Sequence, residues 1–239
     1  MLHVKSLLEP PAKPVVPALL CWPLAAGCWL LSLLSPAFAD EEPWPDFPEA
    51  NLEERLAEIS DGELVFLSEP PGEPAHHHEN RIRILPSSLA DGWVLMEQCH
   101  HHLDQVSLLE IVYHPERIRD IRILSNHNID HSRVKDHSVE LRGIQADAKL
   151  CLSARSRALH ELAPGRYQLR NGPYMRRFLD GYYPLHLSIE IDYPAQLLSL
   201  QSASPQTGGA PAYQAEPGRI RWDAWFRGRL FTEFNFSSN

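Results

Sequence analysis

From residue 63 onward the apolar positions recur with a period of two. Leu185, Leu187, Ile189, Ile191 and Tyr193 alternate with His186, Ser188, Glu190 and Asp192, which predicts a strand with one buried and one wet face. The run RIRI at 81–84 has the same alternation. LLEIVY and IRDIRIL, on either side of His114-Pro115-Glu116, predict a hairpin with a short loop. VELRGI and AKLCLSAR flank Gln145-Ala146-Asp147 and predict a second. Asn171-Gly172 is a turn signal, and Pro173 directly after it disfavours regular pairing on that side. The C-terminal IRWDAWFRGRLFTEFNF predicts an aromatic strand bent at Gly228, while NHNIDHSRVKDH and SPQTGGAPAYQAEPG read as long polar loops. The fold class expected is all-β: a mostly antiparallel β-sandwich or flattened barrel of about ten strands, with one short N-terminal helix. A transmembrane β-barrel would need strands of roughly 10 residues with an apolar outer band. Here the strands are mostly shorter, Pro-interrupted and dense in Arg, and the chain ends in Ser-Ser-Asn.

Before residue 63 the pattern changes. NLEERLAEISDG sets Leu52, Leu56 and Ile59 on one stripe of a short helix ended by Gly62. Pro-rich stretches surround it, and SEPPGEPAHHHEN, carrying His76-His77-His78, reads as loop. Further upstream, Lys5 and Lys13 precede a long apolar run that closes on Ala37-Phe38-Ala39, a small-x-small cleavage site. Residues 1–39 therefore read as a secretory signal peptide. The alternative is an uncleaved anchor, since residues 15–39 are long enough to span a bilayer; Pro17, Pro23 and Pro36 argue against it. Ala26-Gly27-Cys28 only loosely resembles a lipoprotein cleavage box, because Ala25 stands where Leu is wanted. The organisation expected is a leader over 1–39, an acidic Pro-rich arm over 40–79 and a single β-domain over 80–239, in a periplasmic or secreted protein. No later stretch is apolar enough to span a membrane as a helix.

Export changes what the cysteines mean. Cys21 and Cys28 would leave with the leader, and Cys99 and Cys151 form an even pair in an oxidising compartment. A disulfide between them is expected, worth about 4 kcal/mol in the chain-entropy model. Charge is uneven as well. Residues 40–79 hold thirteen acids against the single base Arg55, whereas residues 80–239 hold seventeen acids and nineteen bases. The arm either solubilises the body or lies across an arginine-bearing face such as Arg155, Arg157, Arg176 and Arg177. With net charge −9 and no aromatic-interleaved basic stripe, nucleic acid is not an expected partner.

Histidine supplies the candidate chemistry. The strand WVLMEQCHHHL puts His100 and His102 on one face and Cys99 and His101 on the other. Two imidazoles at i, i+2 lie about 7 Å apart at Cα and can close on one ion, and Zn or Cu suits imidazole. Further ligands must come from elsewhere: His127 and His131 on the polar stretch are the leading candidates, with His114, His137, His186 and His76-His77-His78 behind them. Haem attachment is excluded, because Met96 occupies the place of the first Cys of Cys-x-x-Cys-His. Cys99 and His100 point to opposite faces and cannot act as a nucleophile pair. The twelve histidines beyond the leader would also move net charge upward as pH falls toward 5, a route to pH sensing.

No catalytic fingerprint is present: no Gly-x-Ser-x-Gly, P-loop, His-Glu-x-x-His or dinucleotide motif. A metal-dependent hydrolase would need the histidine site, a carboxylate and an open coordination position. Tyr174, Tyr182 and Tyr183 are interleaved with Arg176 and Arg177, residue types enriched at interface hot spots; Asp180 is placed to pair with either arginine. Asn235-Phe236-Ser237 is a formal glycosylation sequon. Two functional readings follow. One is a non-enzymatic exported β-domain that binds or assembles, through the Tyr/Arg segment, with a protein partner in the cell envelope. The other is a periplasmic Zn- or Cu-binding protein. The sequence leaves the oligomeric state open.

Overall fold

The structure, a computed structural model, describes residues 62–71, 75–178, 181–206 and 213–239. The leader, most of the acidic arm with its expected helix, and Asp180 lie outside the described residues. Within them the chain is almost entirely strand: β1 (Val65–Phe66), β2 (His77–Arg83), β3 (Trp93–His101), β4 (Leu108–Val112), β5 (Ile118–Lys135), β6 (Ser138–Arg157), β7 (Leu159–Ala163), β8 (Arg166–Tyr174), β9 (Arg176–Phe178), β10 (Gly181–Tyr183), β11 (Leu185–Asp192), β12 (Leu198–Ser204), β13 (Tyr213–Glu216), β14 (Arg219–Arg227) and β15 (Leu230–Ser238). A four-residue helix, α1 (Ser88–Asp91), joins β2 to β3. No helix among the described residues is long and apolar enough to cross a membrane.

The large sheet has the order β1-β14-β11-β2-β3-β6-β4, with β13 also on β14 and β5 also on β6. A second sheet has the order β12-β15-β8-β7, and β9 and β10 form a separate hairpin. All pairings are antiparallel except β11 with β2, which is parallel. The expected all-β, mostly antiparallel, sandwich-like class is what forms. Leu187, Ile189, Trp222 and Phe226 of the large sheet pack with Leu169, Leu230, Phe234 and Phe236 of the small one in a single buried cluster. A second cluster, with Leu109, Ile111, Val139, Leu141, Leu150 and Leu152, lies where β3, β4 and β5 gather on β6. The alternation at 185–193 appears as drawn from sequence, Leu185 to Ile191 being buried at every second position. The bend expected at Gly228 separates β14 and β15 into different sheets. Its φ is +95°, and a Cβ there would collide with the carbonyl of Glu63.

Several local expectations fail for a common reason. NHNIDHSRVKDH is not a loop but the second half of the 18-residue β5. VELRGI and AKLCLSAR are not two arms of a hairpin but one 20-residue strand, β6. The partner of both is the other: β5 and β6 form one long ribbon, with register shifts at Arg119/Arg122, Ile123/Ser125 and His127/Ile129. β4 therefore pairs with β6 rather than with β5. Asn171-Gly172 likewise sits inside β8, opposite a register shift at Leu230/Thr232. In each case turn-forming residues serve as bulges, which absorb an extra residue and bend a strand without ending it. The segment read as the end of the arm also changes role. His77 to Glu79 open β2, which lies between β11 and β3 inside the large sheet.

Candidate metal centre

β2 brings the first histidine run against the second. In antiparallel register His77 faces His101 and His78 faces His100. On its other side β2 runs parallel to β11, which sets His186 beside His77. Strand alternation then divides the histidines between the two faces of the sheet.

On the inner face, His76, His78 and His100 are buried. His76 Nε2 lies 3.0 Å from His100 Nδ1, one ring donating and the other accepting, and the rings of His78 and His100 are 4.3 Å apart. Burial holds all three well below the ordinary imidazole pKa, and each is lowered further by a histidine beside it. Next in line come Asn80 and Gln98, also buried and opposite each other. The Asn80 amide donates to Tyr174 OH at 2.6 Å, and Tyr113 OH donates to Gln98 Oε1 at 2.6 Å. Tyr174 belongs to the first apolar cluster and Tyr113 to the second, so this polar band lies where the two meet.

On the outer face, one row crosses five strands as Trp225, His186, His77, His101 and Lys149. The rings of Trp225 and His186 stack at 4.5 Å, His186 and His77 at 4.0 Å, and His77 and His101 at 5.4 Å. The next row is Asp223, Ser188, Glu79, Cys99 and Cys151, the last two joined as the expected disulfide. His77, Glu79 and His101 each offer a ligand atom, and those atoms lie within 4.8 Å of one another. All three residues are half-buried. His101 Nε2 is enclosed, makes no hydrogen bond, and stands 3.4 Å from Glu79 Oε2.

The surroundings fix the protonation and orientation of His77. His77 is lowered to a pKa of about 4, by burial first and then by His186, with Glu79 and Asp223 opposing. It is therefore neutral at pH 7 and presents a lone pair with no proton to displace, which is the form a metal takes. Ser188 Oγ donates to Asp223 at 2.5 Å and so accepts from His77 Nε2 at 2.8 Å, leaving Nδ1 as the nitrogen of His77 with a lone pair to give. Asp223 also holds His186 Nε2 at 3.0 Å. Its carboxyl stays below the usual range although burial pushes it up, because the hydrogen bonds from His186 and Ser188 outweigh the burial. Two imidazoles and a carboxylate are a ligand set known for Zn, with a fourth position left open.

The residues singled out from sequence are distributed differently. His100 belongs to the inner trio. His102 has φ +52° at the end of β3, so alternation stops at His101; the ring is exposed and lies 3.3 Å from Asp147. His127 and His131 are exposed on β5, opposite Lys149 and Arg142. The four histidines His100, His102, His127 and His131 are thus not brought together as a ligand set. Of the Tyr/Arg segment, Tyr174 is buried beneath the fold. Arg176 grips Asp104 with two hydrogen bonds, of 3.1 and 2.5 Å, and faces Tyr183 across the β9–β10 hairpin. Arg177 lies 5.4 Å over the ring of Tyr182. These contacts tie the hairpin together. The cluster His77, Glu79 and His101 was not assembled by sequence reasoning, which named 76–78 only as a remote candidate because a Pro-rich approach made it look like loop. The signal was the period of two in RIRI, which continues backward through Glu79 and His77. Comparison with protein-family models and with curated proteins finds no match for this chain.

Proposed function

We propose that this protein is an exported β-domain that binds a late first-row divalent cation, Zn(II) or Cu(II), on the outer face of its large sheet. One observation carries the reading: His77, Glu79 and His101 converge from two neighbouring strands to within 4.8 Å. Ser188 orients His77, and His186 and Asp223 flank it. Bond lengths of about 2.0–2.2 Å to nitrogen and oxygen require these side chains to close somewhat on the ion, which half-exposed histidines can do by rotation. Export is supported by the leader-like residues 1–39 and by the Cys99–Cys151 bridge, of a kind that persists in oxidising compartments.

The test is calorimetric titration of the full chain with Zn(II) and Cu(II). One equivalent is expected for the unaltered protein and for His102→Ala. The His77→Ala/His101→Ala double variant is expected to lose that equivalent while keeping its β-sheet circular dichroism. Unchanged stoichiometry and affinity in the double variant would remove the proposal.

A further inference from the structure

The opposite side of the same strands carries a second site of different chemistry. Between the inner face of β2 and β3 and the bulged end of β8 lies a cleft of about 240 Å³. Its floor is the polar band: Asn80, Gln98, Tyr113 and Tyr174 all line it. Asn80 is 1% exposed, yet its Oδ1 has no hydrogen-bond partner. Tyr174 satisfies the amide nitrogen of Asn80 and leaves its oxygen without a partner at the floor of the cleft. Asn171 Nδ2, on the bulge, is enclosed and without a partner as well. Tyr174 OH accepts from Asn80 and keeps its own proton to donate.

The rim is cationic. Arg117, Arg157 and Arg170 all line the cleft, and no Asp or Glu does. Arg170 pairs with Glu233 at 3.3 Å and lies 5.1 Å over the ring of Phe231. Among the described residues Arg117 and Arg157 have no acidic partner. The three guanidiniums act together on His160, which burial, and then Arg117, Arg157 and Arg170, hold below the ordinary imidazole range. Guanidinium forks match carboxylate and phosphate oxygens two at a time. Amide atoms without a partner, beside a phenol that still has a proton to donate, match hydroxyls.

We propose that this cleft binds a monosaccharide-sized organic anion, its carboxylate or phosphate on Arg117 and Arg157 and its hydroxyls on Asn80, Asn171 and Tyr174. The volume falls just under the roughly 300–1,000 Å³ of sites for larger molecules, which sets the size. The site is separate from the proposed metal site, because its floor residues Asn80 and Gln98 lie on the inner face of β2 and β3, whereas His77, Glu79 and His101 lie on the outer one.

The experiment titrates the full chain, in metal-free buffer, with D-glucuronate, glucose 6-phosphate, D-glucose and inorganic phosphate, followed by calorimetry and saturation-transfer NMR. One of the two sugar anions is expected to saturate with one site per chain, with glucose and inorganic phosphate each weaker by about tenfold or more. Arg117→Gln/Arg157→Gln, which alters only exposed side chains, is expected to weaken the anion by about tenfold or more while leaving Zn(II) stoichiometry intact. Tyr174→Phe is expected to weaken anion and glucose alike. Three results would overturn the proposal: no saturation by either sugar anion below about 10 mM, equal affinity for glucose, or unaltered affinity in the arginine double variant. Inorganic phosphate binding as tightly as the sugar anion would reduce the site to a bare anion hole and overturn it too.

Discussion

The two faces of the β2–β3 pair are built from the same short runs of histidine and differ in everything that matters to function. Inside, His76, His78 and His100 are buried, neutral and hydrogen-bonded at only one contact. Outside, His77, His101 and His186 are half-buried; Ser188 and Asp223 hold His77 and His186, and His101 stands beside Glu79. An imidazole among apolar groups and other imidazoles has no charge to answer it, so its proton affinity falls and protonating it works against the fold. On the outer face burial and His186 lower the pKa of His77 too, to about 4, but there Glu79 and Asp223 oppose the shift. Strand alternation alone divides the histidine runs between a buried face and a half-buried face that also carries carboxylates.

The largest expected effect comes from the inner face. In the unfolded chain these imidazoles take up protons below their ordinary pKa of about 6.5, whereas in the folded protein burial holds the trio well below that value. Stability is therefore unaffected by these groups above about pH 6.5 and falls as pH drops through that value. At pH 5 each contributes a loss of roughly 2 kcal/mol, up to about 6 kcal/mol together. Denaturant unfolding of EDTA-treated protein at pH 7 and pH 5 measures this directly. An equal midpoint at both would mean that the inner trio is not buried neutral, and the contrast between the faces would dissolve.

Second comes the bridge between the faces and the rest of the sheet. Cys99–Cys151 joins β3 to β6 in the same row as Glu79 and one row from His77 and His101, and closes a separation of 52 residues. Replacing both cysteines by serine is expected to cost about 4 kcal/mol, read as a lower denaturant midpoint. A loss of metal affinity at full folding would show in addition that Glu79, the cross-strand neighbour of Cys99, depends on the bridge for its position.

How far this was legible in the sequence depends on distance along the chain. Local alternation revealed the β class and the buried and wet sides of 185–193, cysteine parity with an export leader pointed to the Cys99–Cys151 bridge, and a glycine marked the break at 228. Pairing was not legible. That His77 meets His101 and His186 is set by strands 24 and 109 residues away, and no local pattern records that register. Turn chemistry also misled. Asp147 and Gly143 take left-handed φ of +56° and +63° within one strand, where isolated residues of their type would end it. His102 shows the reverse: its left-handed φ ends an alternation that the run of histidines suggested would continue.

Third in size is the effect expected of Zn(II) at the proposed outer-face site. With free Zn(II) at about 100 times its dissociation constant, linkage adds roughly 2.7 kcal/mol. For a domain of this size that raises Tm by roughly 5–10 °C. The His77→Ala/His101→Ala variant is expected to show no shift. Ser188→Ala, which removes the acceptor of His77 Nε2, is expected to keep the shift but weaken affinity by about tenfold. A variant at Ser188 with wild-type affinity would mean that His77 is placed by stacking on His186 alone.

The smallest effect separates the proposed metal site from the rest of its own face. Further along the same strands the outer rows become a lattice of opposite charges: Arg221 with Glu190 at 3.2 Å, and Arg219 with Asp192 at 2.9 Å. These arginines are about half exposed, so water and salt screen them. Arg221→Gln is expected to cost between about 0 and 1 kcal/mol, fading at high salt, and to leave metal affinity unchanged. If it instead lowered affinity for Zn(II), the field of the whole face would be setting the ion's place, and the neutral His77 with its three-residue ligand set would not suffice. If it cost several kcal/mol, the outer face would be holding the sheet together as the inner one does, and the division of labour between them would have to be given up.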